Sequence, residues 1–64
     1  MSFNKLDSLY DNLQNIIKDS QGDVTKFVEG NNSAGTRVRK AMQAVKSLAQ
    51  EVRVEVQDQK NSQF

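Results

Sequence analysis

A chain of 64 residues with no Cys, no His and no Pro holds one small domain at most. It excludes disulfide staples, thiolate nucleophiles, Ser-His-Asp triads and His- or Cys-based metal sites. The formal net charge of +1 excludes a uniform polycation, yet the charge is uneven: residues 1–30 carry three Lys against five acids, residues 31–64 six basic residues against three acids, and residues 31–50 four basic residues and no acid.

The first element is read over about residues 3–29. Apolar or small side chains fall at Phe3, Leu6, Tyr10, Leu13, Ile17, Ser20, Val24 and Phe27, in alternating steps of three and four that mark a coiled-coil seam. Ser2 is the expected N-cap. Gly22 weakens the helix by about 1 kcal/mol relative to Ala, but the seam keeps its phase across it, so one continuous helix is expected. Gly30 suits the left-handed position that ends a helix, and Asn31, Asn32 or Ser33 can cap the next one. The second element, about 33–58, repeats the seam at Val38, Met42, Val45, Ala49, Val52 and Val56. Residues 59–64 lose the pattern and are expected to fray. The whole chain, 1–64, is read as one domain.

Folding the two helices back on each other pairs residues whose numbers sum to about 62, and the sizes then compensate. Ser20 meets Met42, Leu13 meets Ala49, and Phe27 meets Gly35. The fold class expected is all-α, an antiparallel two-helix hairpin. With the seam labelled a and d, the g column holds Leu9, Ile16, Ala41 and Leu48. This second apolar row exceeds what two helices can bury, so oligomerisation through these four residues is expected, as a homodimer closing a four-helix bundle. A chain this short is marginal alone, which favours the same conclusion.

The opposite flank, the e column of the second helix, is Arg39, Lys46, Arg53 and Lys60, basic at every heptad and spaced about 10.5 Å apart along a helix axis. Across from it stand Asp7, Gln14, Gln21 and Val28, with one acid among them. Arg37 and Lys40 add charge close to the helix N-terminus, which itself favours an anion. Arg and Lys in such a row supply the sequence-independent part of DNA affinity. The DNA-contacting set expected is therefore Arg37, Arg39, Lys40, Lys46 and Arg53. The competing reading is a coiled-coil module that self-associates or docks a protein helix, its basic row merely solubilising the bundle.

Nothing in the sequence announces catalysis. Asp7, Asp11, Asp19 and Asp23 recur at helical spacing on solvent faces, and neither GxGxxG nor a P-loop is present. Asn31-Asn32-Ser33 matches a glycosylation acceptor but reads as turn and cap chemistry. Phe3, Tyr10 and Phe27 sit in the seam and read as core, leaving Phe64 outside it. No enzyme activity, cofactor, metal or small-molecule substrate is expected. No run approaches the roughly 20 apolar residues of a membrane span, and the N-terminal stretch lacks a basic region followed by an apolar one. A cytoplasmic location is the expectation.

Residues 29–41 combine Gly30-Asn31, small residues including Ala34, and the Arg37-x-Arg39 pair, between a polar first helix and an amphipathic second one. This arrangement resembles the bacterial linker-histone-like family of the chlamydial histone-like type, over roughly residues 3–57. The resemblance implies a histone-like, nucleoid-associated protein that binds DNA non-specifically, and it coincides with the charge pattern at Arg37 and Arg39. Members typically add a Lys- and Ala-rich C-terminal tail, whereas residues 59–64 here contain one Lys, Lys60.

Overall fold

The structure, a computed structural model, describes residues 4–62. Two helices, α1 (Lys5–Val28) and α2 (Asn32–Ser62), pack against each other as an antiparallel hairpin, with principal extents of 52 × 22 × 11 Å. Asn4, not Ser2, caps α1: its side chain accepts the Leu6 N–H at 2.8 Å, satisfying a donor that has no partner inside the helix. Ser2 and Phe3 lie outside the described residues, as does Phe64. α1 runs unbroken through Gly22.

The connection is three residues long and fully used. Gly30 adopts φ +108°, a conformation in which a Cβ would be strained. The N–H groups of Gly30 and Asn31 return to the carbonyls of Phe27 and Lys26, each at 3.0 Å, which closes the end of α1 in a Schellman arrangement. Asn31 then turns its side chain to α2, where its Oδ1 accepts from the Ala34 N–H at 3.2 Å and the Ser33 hydroxyl at 2.8 Å. One residue thus finishes one helix and caps the next.

The register is the expected one. Gly35 lies directly under the Phe27 ring, where an added Cβ would come within 2.6 Å of Cδ1. At the open end Gln59 donates to Asn4 Oδ1 at 2.8 Å. α2 continues to Ser62, four residues beyond the boundary read from the seam, because side chains replace the missing apolar contacts: Gln59 also donates to Glu55, Gln57 to Asn61, and the Ser62 hydroxyl to the Asp58 carbonyl.

The roll of the helices departs from the expected seam. Most of the d column remains inside, with Leu6, Leu13, Val38, Val45 and Val52 half-buried and Ser20 buried, its hydroxyl donating to the Ile17 carbonyl at 2.9 Å; Phe27, the d residue at the turn, stays 51% exposed. The g column also turns inward: Leu9 and Ala34 are the two buried apolar residues among those described, and Ile16, Ala41 and Leu48 are half-buried. The row read as free for oligomerisation therefore lines the inside of the hairpin. The a column is left open instead, with Tyr10 52%, Ile17 49%, Met42 42% and Val56 39% exposed. Small Ala34 and Ala41 let the backbones approach on the g side, and two ion pairs span it: Arg37–Asp23 at 2.9 Å and Lys5–Glu55 at 3.8 Å.

Candidate nucleic-acid interface

Because α2 is continuous from Asn32 to Ser62, residues seven apart share one face. Arg39, Lys46, Arg53 and Lys60 accordingly form a straight row roughly 30 Å long, and all four are exposed. Among the described residues none of them has a carboxylate within ion-pair distance. Asp7, the acid facing this edge, makes no ion pair with Arg53; it borders an open groove with Tyr10, Val52 and Val56. The row therefore keeps four uncompensated positive charges along one edge of a narrow molecule.

The other two expected contacts stand apart from the row. Lys40 follows Arg39 in sequence and so projects about 100° further round the helix; it is exposed beside Thr36 and Gln43. Arg37 lies on the closed side, where its Nε donates to Asp23 Oδ1 at 2.9 Å. Its side chain stays 48% exposed, but the adjacent carboxylate offsets its attraction for a phosphate. The sequence reading missed this partner, although the g column does carry Asp23 within one turn of the residue facing Arg37.

The arrangement can attract a polyanion. Among the described residues there is no group of three His, Cys, Asp or Glu side chains able to hold a metal ion, and no helix is long and apolar enough to cross a membrane. The family model described as histone H1-like protein Hc1 matches residues 7–62, a span that takes in both helices and the whole basic row. No curated protein and no solved structure matches the chain.

Proposed function

The chain belongs to the histone H1-like protein Hc1 family, and on that premise we propose that it is a nucleoid protein of the cytoplasm that binds DNA without sequence preference and acts as a self-associated helical bundle. The observation that carries the DNA reading is the exposed row Arg39, Lys46, Arg53 and Lys60, which has no ion pair among the described residues. Such a row supplies positive charges that meet phosphates, which recur along any duplex whatever its sequence. Lys40 adds a contact near the turn. Arg37 contributes least, because Asp23 already holds it. Four charges per chain give weak binding, and self-association multiplies them.

A titration of duplex DNA at increasing salt tests this reading. Micromolar binding in low salt is expected, with the logarithm of affinity falling linearly against the logarithm of salt by about 0.9 per phosphate neutralised. Replacing Arg39, Lys46 and Arg53 together with Ala flattens that slope and weakens binding at least tenfold, while helicity by circular dichroism is kept. Absence of binding at tens of micromolar protein in low salt, or a triple variant that binds as the parent does, would leave a coiled-coil interaction module with no nucleic-acid role.

A further inference from the structure

The open column is an interaction surface. Tyr10, Ile17 and Val24 on α1 and Met42 and Val56 on α2 are large apolar side chains between 39% and 52% exposed, and they lie on one side of the hairpin at heptad spacing. Among the described residues the hairpin beneath them buries only Leu9 and Ala34 of its apolar side chains, so it has little core with which to offset its conformational entropy. Covering this row is the largest stabilisation still open to the fold.

We infer that a second copy of this chain covers the row, with α1 of each protomer lying on α2 of the other. This rests on the self-association part of the proposed function and specifies its face and geometry. Two observations select the occupant. The first is register: residues of α1 lie level with residues of α2 whose numbers complete about 62, so Tyr10, Ile17 and Val24 fall midway between Val56, Ala49, Met42 and Gly35. Each protomer thus carries both the knobs and the spaces between them; the small Ala49 leaves room between Met42 and Val56 for the partner's Tyr10 and Ile17, whereas Gly35 is already covered by the Phe27 ring of its own chain.

The second is charge. Two hairpins can meet face to face about a two-fold axis that runs along the helices or across them. The axis across them stacks α2 on α2 and sets one basic row against the other. The axis along them stacks α1 on α2, and brings Asp7 and Asp11 of one protomer beside Arg53 of the other. Like charges brought together are penalised and opposite ones are favoured, so the second arrangement is selected. The rows of the two protomers then run along opposite flanks of the bundle, and Lys46 and Arg39 face the uncharged Gln14 and Gln21.

Multi-angle light scattering of the full chain at tens of micromolar tests the inference, with the expected mass twice the 7.2 kDa of one chain. Ile17→Glu, on the exposed row, raises the dissociation constant at least tenfold while helicity is retained. The arrangement is read from mixing. An Asp7→Lys, Asp11→Lys variant and an Arg53→Glu variant each dimerise several-fold more weakly than the parent, and an equimolar mixture of the two recovers parental association, since both contacts in the mixed dimer are complementary. A dimer indifferent to Ile17→Glu overturns the face, and a mixture that stays weak overturns the geometry. A monomer at tens of micromolar, with the row covered by a foreign helix or by nothing, overturns the inference and the self-association reading together; the DNA titration is read independently of all three.

Discussion

The two long sides of the hairpin are made of similar residues and behave differently. On the closed side Leu9 and Ala34 are buried and two ion pairs link the helices. On the open side Tyr10, Ile17, Val24, Met42, Val56 and, towards the turn, Phe27 are 39–52% exposed, next to four cations that have no ion pair among the described residues. Apolarity does not separate them, since Tyr10, Ile17 and Met42 are as apolar as Leu9, Ile16 and Leu48. Size and charge do: Ala34 and Ala41 permit close approach where Met42 and Tyr10 prevent it, and acids at Asp23 and Glu55 reach across where Gln14 and Gln21 offer no charge. A two-helix unit has room to close on one side, and the other becomes its means of meeting something else.

The contrast is sharpest under paired truncation. Leu9→Ala removes a buried side chain and should cost about 2 kcal/mol, the low end for such a change because a thin hairpin can collapse around the gap. Ile17→Ala should cost less than about 1 kcal/mol in dilute protein, and several times that at concentrations where the dimer forms. Thermal unfolding followed by circular dichroism at two concentrations separates them, and equal costs at both would erase the distinction between the sides.

The glycines give a smaller, opposed pair. Gly35→Ala forces the Phe27 ring aside, and should lose about 1 kcal/mol after the better helix propensity of Ala is counted. Gly22→Ala meets nothing within 4 Å and should gain about 0.5–1 kcal/mol. Denaturant midpoints read both, and the same sign for the two would contradict the placement of Phe27. Smallest is Asp23→Asn, which releases Arg37: stability should fall by no more than about 1 kcal/mol, while DNA affinity rises slightly. Unchanged DNA binding would place Arg37 outside the interface.

The hairpin and its register were legible because each rests on size alternation at heptad spacing, as in Phe27 over Gly35. Gly30 was legible as a helix end, since few other residues tolerate its φ. Which column would stay open was not legible. The apolar stripe of each helix is centred on d, with g and a about 60° to either side, so periodicity alone treats closure on d and g or on d and a as equivalent. The decision lay in pairwise details, Asp23 with Arg37 and Lys5 with Glu55, that no single-helix pattern displays. The row Arg39, Lys46, Arg53 was visible in sequence because a repeat of seven is itself a geometric statement; the separation of Arg37 from it required the roll.

Asn31 gives the turn a further role as an index mark. Its backbone N–H ends α1 and its side chain begins α2, so the connection has no slack, and the angle at which α2 leaves is fixed before any core contact forms. The apolar stripe of α2 specifies the same angle a second time. A single residue added to the turn would put the two specifications about 100° out of agreement, and one would have to yield, either by opening the caps or by swinging the cationic row away from the apolar column beside it. The phase between charge and apolar surface is therefore held by three residues at one end of a 52 Å molecule.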